Sequence, residues 1–168
     1  MTKIAWDMAK DDAGAAAVEF ALIAPLLLLM VLGVTEMGKI VYYRSVLESA
    51  ARSGTQAGFA AAMTTATQIA TAQTTMETTS DTAINSALGA AIGDTVASDA
   101  TVTCICANDI NDTVDCVTGD CGSVSKRYIA TVNMGMTYTP LFNMTNLPGG
   151  FNIDLTMPLT GNSVLWVK

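Results

Sequence analysis

The chain opens with a polar stretch, MTKIAWDMAKDDAG (1–14), and then turns apolar. From Ala15 to Thr35, AAAVEFALIAPLLLLMVLGVT, only Glu19 is charged. As a helix rising ~1.5 Å per residue, this run reaches ~31 Å, enough to cross the hydrocarbon core of a bilayer. Pro25 stands near its start, where it removes one backbone donor, a loss that membrane helices tolerate better than soluble ones. The helical period continues beyond the apolar run. Ile40, Tyr43, Leu47, Ala50, Gly54 and Gly58 recur at spacings of three and four, whereas Arg44, Ser45, Glu48, Arg52, Thr55 and Gln56 fall on the other side. The pattern predicts one helix over 15–60, apolar all round in its first half and one-sided in its second. Glu48 and Arg52 form an i, i+4 pair in the favourable order.

Residues 63–80 are rich in Thr, Ala and Gln. β-Branched Thr weakens a helix, so a frayed end and a connection are expected here. Ser80 is placed to cap a second helix over Asp81–Asp94, with apolar positions at Ile84, Leu88 and Ile92 and a stop at Gly93. From Ala100 the period changes to two. Thr101–Cys106, Tyr128–Met134, Phe151–Met157 and Ser163–Val167 read as strands, punctuated by Pro140, Pro148-Gly149-Gly150, Pro158 and Gly161-Asn162. The expected architecture is α+β. A leader (1–14) precedes a long N-terminal helix (15–62), of which 15–35 span a membrane. A connection and second helix (63–99) lead to an antiparallel β domain (100–168), one face of which the helices cover.

Composition sharpens this picture. Of 168 residues, 51% are hydrophobic and only 14% charged, against roughly 25% charged in soluble domains, a deficit that points to a membrane segment. The formal net charge is −7, and no Lys/Arg cluster relieves it, which argues against nucleic-acid binding. The chain has no histidine, which removes Ser–His and Cys–His nucleophile pairs and imidazole zinc sites. No Gly-rich phosphate loop is present, and the Asp11-Asp12 pair lies in the leader. The chain is therefore expected to be no enzyme and to need no cofactor. An envelope enzyme working through Asp or Lys would need a cleft holding a strongly perturbed carboxylate, of which the sequence gives no sign.

The four cysteines, Cys104, Cys106, Cys116 and Cys121, share one short window. Four thiolates suffice for tetrahedral zinc, but zinc knuckles favour C-x₂-C steps and neither pair has one, so no metal is expected. Two disulfides in an oxidising compartment fit better. Three pairings are open; a nested one, Cys104–Cys121 with Cys106–Cys116, suits two facing strands. Asp109, Asn111, Thr113, Asp115 and Asp120 fall at offsets resembling a calcium loop, yet Val114 stands where that loop requires Gly and Cys116 interrupts it, leaving a solvated polar loop as the expectation.

Glu19 needs a reason to be where it is. A carboxylate at the bilayer centre costs ~2.5–3.5 kcal/mol on insertion scales, and less near an end. A cut after Gly14 would create an amine on Ala15, one helical turn from Glu19, and in a filament a neighbour's amine could reach that carboxylate. Three features share this block. They are Gly14-Ala15-Ala16-Ala17-Val18-Glu19-Phe20, Pro25 in a Leu-rich run, and Gly33-Val34-Thr35-Glu36-Met37-Gly38 followed by Ala50-Ala51-Arg52. With them, Gly14–Gly58 resembles the N-terminal block of TadE-like minor pseudopilins of the Tad (Flp) type IVb pilus system.

The resemblance implies a pilin-like fold. It implies a cut by a prepilin peptidase between Gly14 and Ala15, with Glu19 and Phe20 serving assembly. Its implied partners are membrane lipid, other pilins and pseudopilins in homo- or hetero-oligomers, and the Tad inner-membrane assembly platform. The implied location is a single pass through the bacterial inner membrane with the C-terminal domain in the periplasm, or on the pilus after assembly. The implied role is in pilus assembly, adhesion or secretion. Small residues such as Ala24, Gly33 and Gly38 would let helices approach. Family leaders are usually basic, whereas this one carries Asp7, Asp11 and Asp12. The rival expectation is an uncleaved single-span envelope adaptor or sensor, in which Gly14 and Glu19 can be replaced without consequence.

Overall fold

A computed structural model of the chain describes residues 12–60, 63–89, 96–140 and 156–167. The chain divides into two units, Met1–Lys39 and Ile40–Lys168. Helix α1 (Asp12–Phe59) begins in the first and continues into the second, with Pro25 inside it. Within the first unit it is the only described element, and its apolar side chains face outward.

The second unit holds the rest of α1, then α2 (Ala66–Leu88), β1 (Ala97–Cys106), β2 (Asp109–Val114), β3 (Lys126–Tyr138) and β4 (Met157–Val167). The strands form one antiparallel sheet in the order β2-β1-β3-β4. On β3, Ala130, Val132, Met134, Met136 and Tyr138 are buried at every second position, so one face of the sheet carries the core. They pack with Ala100, Leu159 and the helical residues Leu47, Ala50, Ala51, Met76, Ile84 and Leu88. This is the α+β arrangement of two helices against a sheet that the periodicities predict.

Three glycines let the layers approach. A Cβ at Gly54 would run into the Ser80 hydroxyl and lie 2.7 Å from the Met76 carbonyl oxygen, and one at Gly58 would meet the Met76 sulfur. These pairs, four residues apart on both helices, fix where α1 crosses α2. A Cβ at Gly161 would lie 2.7 Å from the Glu48 amide nitrogen, so β4 runs directly over α1.

Several expectations need correction. The Thr-rich segment is helix rather than connection, and Ser80 is a buried residue in the middle of α2, not its cap. The cap is Thr65. Its Oγ1 accepts from the Gln68 amide at 3.3 Å, while Gln68 Oε1 accepts from the Thr65 amide at 3.1 Å, a reciprocal capping box. The threonines are absorbed because their hydroxyls donate to the carbonyls four residues back, as Thr71, Thr75 and Thr82 do.

Gly161-Asn162 and Pro158 lie inside β4, not between strands. Among the described strands β4 lies at the edge of the sheet, where a missing N–H is tolerated. Thr55 was expected on the polar side of α1 but is 1% exposed. Its hydroxyl lies 3.0 Å from that of Ser163 on β4, because α1 is gripped by both α2 and β4 and its buried arc is wider than one stripe. Glu48 pairs with Arg44, at 3.6 Å, in place of the expected Arg52 pairing. Trp166 is half exposed on β4. Trp6 and most of the leader, Ile92 and Gly93 of the expected second helix, and residues 151–155 of the expected third strand lie outside the described residues.

Candidate functional site

Helix formation along Gly14–Lys39 follows from its Leu-, Ala- and Val-rich composition. An 18-residue stretch of this helix has mean hydropathy 2.5, and none of it is buried. Phe20 is 68% exposed and Leu22 76%. In a soluble domain such a surface would be unstable, whereas lipid or neighbouring apolar helices would satisfy it. The polar groups along the way are handled locally. Thr35 Oγ1 donates to the Val31 carbonyl at 2.7 Å, and Lys39 pairs with Glu36 at 3.8 Å.

The predicted site residues fall in one short arc of chain. Gly14, Ala15, Glu19 and Phe20 all lie in the first turns of α1 and all are exposed. Ala15 and Glu19 stand at i and i+4, so they share a face one turn apart. Gly14 lies within α1, and a glycine inside a helix costs roughly 1 kcal/mol relative to alanine. A Cβ would meet nothing within 4 Å at Gly14, Gly33 or Gly38, so these small residues are free for a neighbouring backbone.

The cysteines are brought together at the other end of the sequence, in the second unit. They form Cys104–Cys116, with Cα atoms 5.1 Å apart, and Cys106–Cys121, at 5.4 Å. This differs from the nested arrangement. β1 pairs with β2 at Cys104↔Val114, so Cys116, two residues on, lies beside Cys104, and the turn that follows carries Cys121 back to Cys106. No cysteine is free, which leaves no thiolate for zinc.

Three of the four aspartates between them, Asp109, Asp115 and Asp120, act as turn caps. Asp115 Oδ1 accepts from the Val117 amide at 2.9 Å, the Thr118 amide at 2.6 Å and the Thr118 hydroxyl at 2.9 Å. The Thr118 amide, its hydroxyl and the Val117 amide, in that order, hold the Asp115 carboxyl below its ordinary range, with a smaller contribution from Lys126. Asp120 Oδ1 accepts from Gly122, and Asp109 Oδ1 from Asn111, each at 2.9 Å. Lys126 Nζ donates to the Cys116 carbonyl at 3.1 Å. β2 is an extended strand, which spreads Asp109, Asn111 and Thr113 along it instead of folding them round an ion. Among the described residues no group of three or more acidic or cysteine side chains is placed to hold a metal.

A shallow cleft of about 380 Å³ opens between α2 and this loop, lined by Ile69, Gln73, Val102 and Val117 among others. Its one ionisable lining group, Asp115, is committed to the turn. The cystine loop is therefore a stapled, self-capped structure, and the exposed chemistry lies in the first turns of α1. β2, with its polar sequence DINDTV, is the element that alternation alone does not reveal; its pairing with β1 and the adjoining disulfide hold it in place.

Residues 14–56 match the family model described as TadE-like protein. No curated protein and no solved structure matches the chain.

Proposed function

We propose, from the premise that the chain is a membrane-anchored TadE-like protein of the Tad pilus system, that it works as a minor pseudopilin. A prepilin peptidase removes the leader between Gly14 and Ala15, and the new N-terminal helix packs among those of other pilins and pseudopilins on the inner-membrane assembly platform. The second unit then lies on the periplasmic side. The function is assembly, without turnover.

One observation carries this reading: an apolar helix with no buried residue in its 18-residue hydropathic stretch holds the carboxylate Glu19 one turn beyond Ala15. In a filament the Glu19 carboxylate receives the Ala15 ammonium of the neighbouring subunit. Leaving either charge unpaired among apolar helices is expensive, so the pair sets register between subunits.

The test is substitution. Glu19→Ala should leave the chain in the membrane fraction and lower its co-purification with assembled pili tenfold or more, while Glu19→Asp retains part of it. Normal incorporation of Glu19→Ala would favour the uncleaved adaptor instead.

A further inference from the structure

We propose that Asn111 is an acceptor for N-linked glycosylation, taking an oligosaccharide from a polyprenyl-pyrophosphate carrier. This rests on the reading that places the second unit on the periplasmic side. Asn111-Asp112-Thr113 is an Asn-x-Ser/Thr triplet with no proline at its middle position, the pattern that a glycan-transferring enzyme accepts. It falls in β2, at one edge of the sheet among the described strands, and all three of its residues are exposed. The second such triplet, Asn143-Met144-Thr145, lies outside the described residues.

The strand ladder leaves this acceptor open. β2 pairs with β1 at Cys104↔Val114 and Ile105↔Thr113, and the next pair is Cys106↔Asp109. Ile110, Asn111 and Asp112 therefore have no cross-strand partner and form a bulge, a device that re-aims side chains away from the ladder. The Asn111 backbone amide donates to Asp109 Oδ1 at 2.9 Å, while no hydrogen bond engages its side-chain amide or the Thr113 hydroxyl. Cys106 and Cys116, on either side, are held by their disulfides, so the segment is fixed at its ends and unpaired in its middle. Those disulfides belong to an oxidising compartment such as the periplasm, the side of the membrane on which exported chains meet such transferases.

The chemistry needs that openness. Resonance draws the lone pair of a carboxamide nitrogen into its carbonyl, as in a peptide bond, so the transferase has to grip the acceptor and pin its amide. A segment already out of the ladder enters such a grip without breaking strand pairs. In the transfer, Nδ2 of Asn111 attacks the anomeric carbon of the carrier-linked sugar. The C–N bond forms as the C–O bond to pyrophosphate breaks, the departing polyprenyl pyrophosphate takes the electron pair, and an Nδ2 proton passes to a base. Residues two apart share a face of an extended chain, so Asn111 and Thr113 are presented together. A glycan here would also cover the outer edge of β2 and block the strand pairing that a bare edge invites.

Peptide mass spectrometry of the chain purified from its native membrane tests this, with the disulfides mapped in the same sample before reduction. The peptide carrying Asp109–Val114 should be heavier by whole sugar units, with the added mass on Asn111. Asn111→Gln and Thr113→Val, the latter keeping the β-branched shape without the hydroxyl, should each lower that glycoform at least tenfold. Thr113→Ser and Asn143→Gln should retain it.

A bare Asn111 in a chain whose Cys104–Cys116 and Cys106–Cys121 bridges are formed would overturn the proposal and leave the periplasmic placement standing. A bare Asn111 with free cysteine thiols would remove the placement and the proposal together. Sugar found on Thr113 in place of Asn111, or on Asn143 alone, would overturn the assignment as well.

Discussion

Gly161 sits where β4 crosses α1, with the Glu48 amide nitrogen 2.7 Å from the place a Cβ would occupy. Gly161→Ala should therefore push two packed elements apart and destabilise the second unit by about 1–3 kcal/mol. Gly33→Ala, where a Cβ meets nothing, should leave thermal unfolding of the detergent-solubilised chain unchanged. In the sequence the two kinds of glycine look alike, and Gly161-Asn162 carries the usual mark of a turn; only the packing partner tells them apart. Thr55 misled for the same reason, since its position on the helix wheel says nothing of a second element gripping α1. Asp115 supports a pH prediction. Its carboxyl titrates lower in the folded chain than its ordinary value of 3.8. Its contribution to stability is thus fully present above that value and is lost as pH falls through the depressed one. Carboxyl NMR should find it ionised below pH 3.8, and Asp115→Asn should remove that part of the acid-side dependence. An ordinary or raised pKa would show that the turn hydrogen bonds do not hold in solution.

Among the elements, α1 was legible because its apolar run and its packing stripe each persist over many turns. α2 was half legible. Ile84 and Leu88 announced its end, but the same four-residue spacing runs back through Ser80, Met76 and Ala72. There two small residues and a methionine stand among threonines whose β-branching lowers helix propensity. Their hydroxyls bond back to the helix carbonyls and the Thr65 cap fixes the start. Thr65→Ala should cost about 1 kcal/mol and reduce amide protection across the first turn of α2; unchanged protection would mean that packing alone fixes the helix start. The disulfides follow the same logic at the far edge of the sheet. Which cysteines meet depends on where β2 pairs with β1, and β2 has no hydrophobic alternation to reveal it. Cys104→Ala with Cys116→Ala should destabilise the domain by about 2–4 kcal/mol, measured by denaturant unfolding under non-reducing conditions.

For the molecule as a whole, a helix long and apolar enough to cross a membrane is joined in one chain to a disulfide-stapled α+β unit. Its candidate site was legible from the first because it is local: Gly14, Ala15, Glu19 and Phe20 need no tertiary contact to be recognised, only their spacing on one helix. The central claim, that the apolar helix is freed at Ala15 for assembly, is tested most directly by the intact mass and N-terminal sequence of the protein from its native membrane. The account predicts a chain beginning at Ala15 and lighter by the four hydrogens lost to two disulfides. A chain beginning at Met1 would contradict it and leave α1 an uncut anchor.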